Sequence, residues 1–225
     1  MNLELLHLCD SLFPIGGFAY SDGLETATTA GRIADAAGLR AWLEAALDDT
    51  IGRMEGPAVW QGWRAVQDED FDTLLRLDEE LTALRPAASA RRSSRAMGLR
   101  LLTTWHALHP DPRLERIAGL AKSGAVGPVL PLAFAGACVC SGVARRASVE
   151  AFAYTRLAAT VSAAMRLMPI GQTDAHLLLS RALERVAAVV DRVALRDDRA
   201  PESFTPQMDI ATMTQQYLHS RLFRS

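Results

Sequence analysis

The chain is 225 residues long, 49% hydrophobic and 22% charged, with a formal net charge of −2. That balance supplies ample core for one folded domain over residues 1–225, and it lacks the broad positive field that draws nucleic acid or an anionic membrane. Cys9, Cys138 and Cys140 are too few for a disulfide framework and Met-Asn-Leu-Glu leads no signal peptide, so a cytoplasmic location is expected.

Apolar residues recur with helical period almost throughout, and alternating strand patterns are scarce, which predicts an all-α, bundle-like fold in a single compact multi-helix domain. From Leu5 the chain reads as a short apolar helix ended by Pro14. Gly16 and Gly17 then permit a sharp reversal, and Ser21 or Asp22 caps a second helix with Glu25 near its positive end. Phe18 is presented on or beside that turn, although composition alone would tuck it into the core. Asp35 is the N-cap of the clearest helix, whose stripe is Leu39, Trp42, Leu43, Ala46, Leu47 and Ile51. Similar stripes run through Phe71 to Leu84, through Leu157 to Met168 and, unbroken, from Leu179 to Val193. Breaks fall at Gly31, Arg85-Pro86, His109 to Pro112, Gly124 to Pro128, Pro169 to Gly171 and Arg196 to Pro206.

Several clusters invite chemistry and are better read as structure. Arg91, Arg92, Arg95 and Arg100 follow the acidic Asp78, Glu79 and Glu80, with which they are expected to pair. His106 and His109 precede Pro110, where imidazoles suit the negative end of a helix. Lys122 is the only lysine, and Ala121 stands where a phosphate-binding loop needs glycine. Residues 123–144 carry no charge and could span a bilayer by length, but Gly124, Gly127, Pro128 and Pro131 break them, so a buried small-residue helix is expected. Cys138 and Cys140, two apart, point to different sides of such a helix and make no metal pair. No catalytic or metal residue is assigned, and the chain is read as not an enzyme. The alternative is a small α-helical enzyme or ligand-binding protein with a buried cavity.

Toward the C-terminus, Thr205 as N-cap with Pro206 behind it predicts an amphipathic helix with Ile210, Met213, Tyr217 and Arg221 along one face. The ending Arg221-Leu-Phe-Arg-Ser225 offers an aromatic and two guanidinium groups. Phe223 and Leu222 either serve as an interface anchor or fold back onto the core, and the residues alone leave both open.

Asp10-Ser-x-x-Pro14-x-Gly16-Gly17-Phe18-x-x-Ser21-x-Gly23-Leu24-Glu25-Thr26, together with Asp209-Ile-Ala-x-Met213 and Ser220-Arg-Leu-Phe-Arg-Ser225, resembles the UreF family of urease accessory proteins. Looser likeness runs through Gly31-Arg-Ile-x-Asp35, residues 92–98 and Leu167-x-Pro-x-Gly-Gln172. The resemblance implies an all-α protein that forms a homodimer, binds UreD (called UreH in some organisms) and with it recruits the GTPase UreG. The complex then delivers nickel to apo-urease, with no cofactor held stably by this chain. Carried over by motif position, Phe18 and Arg221 receive UreG, the turn Pro14, Gly16 and Gly17 supports that surface, and Tyr217 and Phe223 serve the UreD partnership. Two departures stand out: Gln215-Gln216 where the family usually has His-Glu, and Ala175-His176 where it usually has Gly-Gln.

Overall fold

Several helices of the protein start where the sequence supplies a local reason, as the computed structural model describes for residues 2–224. The short α1 (Leu3–Leu8) begins at Asn2, whose side chain accepts the Leu5 N–H at 3.1 Å. It ends well before Pro14, contrary to the sequence expectation. The Asp10 carboxylate takes the Leu12 N–H at 2.9 Å and turns the chain locally, so proline is not needed to stop the helix. After the turn comes α2 (Leu24–Thr29). Asp35 caps α3 (Ala36–Ala45), its carboxylate accepting the Gly38 N–H at 2.8 Å, and Leu39 and Leu43 are buried as the stripe requires.

The same helix continues without a break, through a ten-residue π-helical stretch, Ala46–Glu55, into α4 (Gly56–Gln67). Its exit is marked by the Gly56 N–H reaching Ile51 O, five residues back. A π stretch packs more residues per turn and is rare because its hydrogen bonds are poorer, so something outside the helix must hold it. Ion pairs at both ends do so. Asp48 receives Arg185 and Arg192, and Glu55 receives Arg85 at 2.8 Å and Arg156 at 3.2 Å.

Then come α5 (Phe71–Ala83), α6 (Ala88–Leu108), α7 (Pro112–Lys122), α8 (Leu130–Cys140), α9 (Arg145–Leu167), α10 (Gln172–Glu184), α11 (Val186–Ala194) and α12 (Pro206–Thr214). Apart from Cys140 at its end, α8 is buried along its whole length, packed against α4, α6, α7 and α9. This is the charge-free segment; its small residues let four helices approach one axis. One contiguous apolar core runs from Leu8 to Phe223. No strand occurs among the described residues, only a parallel bridge between Tyr20 and Arg224. No described helix is long and apolar enough to cross a membrane.

Two further expectations are corrected. The stripe from Leu179 to Val193 is two helices, because the chain turns at Arg185, whose guanidinium reaches Asp48 at 2.5 Å. Asp78 does not pair with the downstream arginines; it is buried and accepts the Gly127 and Val129 N–H groups at 2.9 and 3.0 Å, while Glu80 pairs with Arg76. Arg91 donates to the Arg85 and Pro86 carbonyls, and Arg100 to the Ile15 carbonyl. The histidines do sit at the α6 terminus: His109 stacks on Trp105 at 4.5 Å, and His106 Nδ1 accepts the Asp111 N–H at 3.5 Å.

Candidate functional site: the joined chain ends

The N-terminal turn is built from short-range bonds. Phe13 N–H donates to Asp10 O at 2.9 Å and Ile15 N–H to Phe13 O at 2.7 Å, after which Gly16 adopts φ +78°. A Cβ at Gly16 would lie 2.6 Å from the Arg100 guanidinium, so glycine serves here for both conformation and space. A single 3₁₀ turn, Gly17–Ala19, comes next. Phe18 on this turn points outward, 74% exposed, while its carbonyl accepts Arg166 Nη1 at 2.9 Å. Pro14 is exposed and Gly16 and Gly17 are half-buried beneath it.

The expected caps of α2 are rearranged. Gly23, at φ +86°, holds the N-cap position, while Ser21 Oγ accepts the Glu25 N–H at 3.4 Å. Asp22 is itself left-handed at φ +48°, a conformation costly for a residue with a Cβ, and its carboxylate is held by Arg156 at 2.6 Å. Arg156 also bonds Glu55, so a chain of ion pairs, Asp22, Arg156, Glu55 and Arg85, buried at its Glu55 and Arg85 end, ties this turn to the π stretch.

The C-terminal segment departs from the predicted helix. Pro206 opens α12 as expected, but the Thr205 hydroxyl donates to Asp209 and does not cap the helix. Burial in turn raises the Asp209 carboxyl above its ordinary value. The helix stops at Thr214, continues as one 3₁₀ turn, Gln215–Tyr217, and then runs as irregular chain with bends at 219–220 and 222–223 to Arg224. Two local facts favour stopping: the Thr212 and Thr214 hydroxyls both bond carbonyls four residues back, and Gln215 is turned inward to Glu25 at 2.9 Å. Arg221 therefore lies on this irregular tail and Tyr217 on the 3₁₀ turn, not on one helix face with Ile210 and Met213.

Glu25, only 4% exposed, is the centre of the assembly. Besides Gln215 Nε2, its carboxylate accepts the Leu222 N–H and, at 3.3 Å, the Phe223 N–H. Next along the tail, Arg224 N–H donates to Ala19 O at 2.7 Å. Of the two dispositions open to Phe223, the protein adopts the inward one: it is 3% exposed, with the Arg166 guanidinium 4.2 Å from its ring centroid. Leu222 stays at the surface, as do Arg221 and Tyr217, the latter 79% exposed. Arg166 thus bridges the two termini, touching the Phe18 carbonyl and the Phe223 ring.

A groove of about 740 Å³ adjoins this junction, lined by α1, the small-residue face of α9, Phe18, Arg166 and Phe223. Cys9 opens onto it, with burial pushing its thiol up to about 11. The Cys138 and Cys140 thiols are pushed up to about 12, chiefly by burial. All three are protonated, which makes them poor nucleophiles and poor ligands near neutral pH. Among the described residues, no group of three or more His, Cys, Asp or Glu side chains is placed to hold a metal ion.

Known proteins resemble this chain over nearly its whole length. A family model described as UreF matches residues 33–183. The urease accessory protein UreF of Methylorubrum populi is 32% identical over 223 residues, covering 99% of this chain and 98% of that protein. Its counterpart in Rhodopseudomonas palustris is 35% identical over 216 residues, 95% of this chain and 89% of that one. The chain belongs to the UreF family. A third member, from Methylibium petroleiphilum, is 32% identical over 223 residues, 99% and 93% of the two chains. Of the two departures from the family pattern, Gln215 is buried on Glu25 and Gln216 is exposed; Ala175 packs in the core and His176 faces solvent. Neither Glu25 nor Arg166 is singled out by the sequence as a site residue. Glu25 lies inside the N-terminal motif, but its buried partners are about 190 residues away, so no local pattern reveals them.

Proposed function

We propose that this chain is a non-enzymatic accessory protein of urease maturation: a scaffold that binds UreD (UreH), recruits the GTPase UreG and so helps pass nickel to apo-urease. Nickel is cargo of the assembled complex, and the chain itself holds no cofactor. The proposal extends to a homodimer. Membership of the UreF family supports the accessory role. The observation that carries the scaffold reading is the meeting of the Gly-Gly-Phe turn with the C-terminal tail, which leaves Phe18, Tyr217 and Arg221 outward. Exposed aromatics and an arginine are the side chains that supply buried anchor area and forked hydrogen bonds when a partner arrives.

The test is co-expression with the organism's UreD and UreG, then size-exclusion chromatography with mass determination, for the wild type and Arg221→Ala. A stable assembly of all three that is reduced to the UreD pair in the variant supports the reading. Failure of the folded wild type to bind UreD overturns it. GTP hydrolysis measured in the same samples separates two roles for Arg221. Loss of recruitment makes it an anchor, whereas recruitment without stimulation makes it a group acting on the nucleotide.

A further inference from the structure

Residues 215–222 leave Glu25 and return to it. Gln215 Nε2 occupies Oε2 of the carboxylate and the Leu222 N–H occupies Oε1, so eight residues, whose seven Cα–Cα steps could stretch about 24 Å, begin and end on one side chain. Between these points Leu218 N–H returns to Gln215 O, and the side chains of His219, Ser220, Arg221 and Leu222 are exposed. Such an arc is a short closed loop whose shape depends on its closure point, and Tyr217 and Arg221 are displayed on it. Just past it, Phe223 and Arg224 fasten the tail beside the Phe18 turn, through Arg166 and the Ala19 carbonyl.

We infer that Glu25 is a positioning residue for partner docking: its carboxylate closes residues 215–222 into the loop that sets where Tyr217 and Arg221 stand relative to Phe18. This rests on the scaffold reading above and adds to it a buried residue that touches no partner. An ionised acceptor suits the task because it can take N–H donors from both loop ends at once, and charged acceptors make the stronger bonds. Glutamine in its place keeps the shape and one acceptor oxygen but loses the charge. The inward donors then compete for a single oxygen, and the loop opens without an unpaired charge being left in the core.

The experiment uses the full chain co-expressed with UreD and UreG, in four forms: wild type, Glu25→Gln, Glu25→Asp and Arg221→Ala. Three quantities are read: melting temperature, amide hydrogen exchange at Leu222 and Phe223, and recruitment of the GTPase. In Glu25→Gln the two amides should exchange about ten-fold faster or more, melting should shift little, and recruitment should fall about as far as in Arg221→Ala, although Arg221 is intact. Glu25→Asp, which restores the charge on a shorter arm, should recover part of both protection and recruitment. Gln215→Ala provides a check that leaves the carboxylate in place, opening the loop at its other end with the same signs of change. Wild-type recruitment by Glu25→Gln despite faster exchange would overturn the inference, as would unchanged exchange. Undiminished recruitment by Arg221→Ala would instead remove the docking reading on which it stands.

Discussion

Two buried glutamates, each 4% exposed, organise this molecule in different ways. Glu55 faces two arginines, Arg85 and Arg156, and joins the π stretch to the end of α5 and to α9. The Glu25 hydrogen bonds among the described residues come from groups without formal charge, two backbone N–H groups and a carboxamide, and join α2 to the tail. A charge locked between opposite charges can be released only at the cost of stranding them in the interior. A carboxylate bonded to a solvent-edge strap can let go and be rehydrated. The first arrangement suits a permanent frame, the second a surface that must be held yet can adjust.

Breaking the first should cost most. Glu55→Ala leaves Arg85 and Arg156 short of a counter-charge in a buried setting, and stability should fall by about 3–5 kcal/mol, lowering the melting temperature by roughly 10 °C. Thermal and denaturant unfolding measure this; a loss under about 1 kcal/mol would show that the pair is not the frame. Gly23→Ala attacks the seat of the second. It puts a Cβ at φ +86° and 2.9 Å from the Thr212 backbone nitrogen, so α12 must move off α2, with an expected loss of about 1–3 kcal/mol.

Phe223→Ala asks whether the tail is core or strap. A core phenylalanine typically costs about 3–5 kcal/mol to truncate, but a strap detaches instead. The global loss here should stay below about 2 kcal/mol while tail amides lose protection.

Asp111 sharpens the contrast because it combines both kinds of partner, the Arg113 guanidinium and the Arg113 backbone N–H. The side-chain bonds from Arg113 are the main reason its carboxyl sits well below the ordinary 3.8. Since the folded value is the lower, its stabilising contribution is complete above pH 3.8 and is lost as pH falls toward the depressed value. Asp111→Asn should therefore flatten the pH dependence of unfolding below about pH 4 and leave a constant deficit at neutral pH. The smallest effect on stability belongs to Phe18→Ala, within about 0.5 kcal/mol, because the ring packs on little. Its consequence should appear only in GTPase recruitment on a sizing column.

What could be read from the sequence obeys the same division between local and distant causes. The Asp35 cap and the Leu39 to Ile51 stripe are legible because both depend on neighbours within two turns. The charge-free segment is likewise legible as a buried helix from its own glycines and prolines. The π register within that stripe is not, since Asp48 and Glu55 are held by arginines from 30 to 144 residues away. The tail failed as a helix for the same reason: Ile210, Met213 and Tyr217 have helical spacing, yet Glu25 claims the N–H groups of Leu222 and Phe223 from the other end of the chain. Motif position drew attention to Phe18, Tyr217 and Arg221, which stand at the surface, whereas the bonds that Glu25 and Arg166 make between the two chain ends have no local signal.

The π stretch also bears on how this region tolerates insertion and deletion. Each residue in a helix turns the downstream chain by about 100° around the axis. Adding or removing one residue at positions 46–55 without a compensating change of winding would swing α4 around its axis relative to α3, carrying Glu55 away from Arg85 and Arg156. A length change of one residue would then undo as much as replacing the glutamate itself. Along this segment, residue number is under the same physical constraint as residue identity.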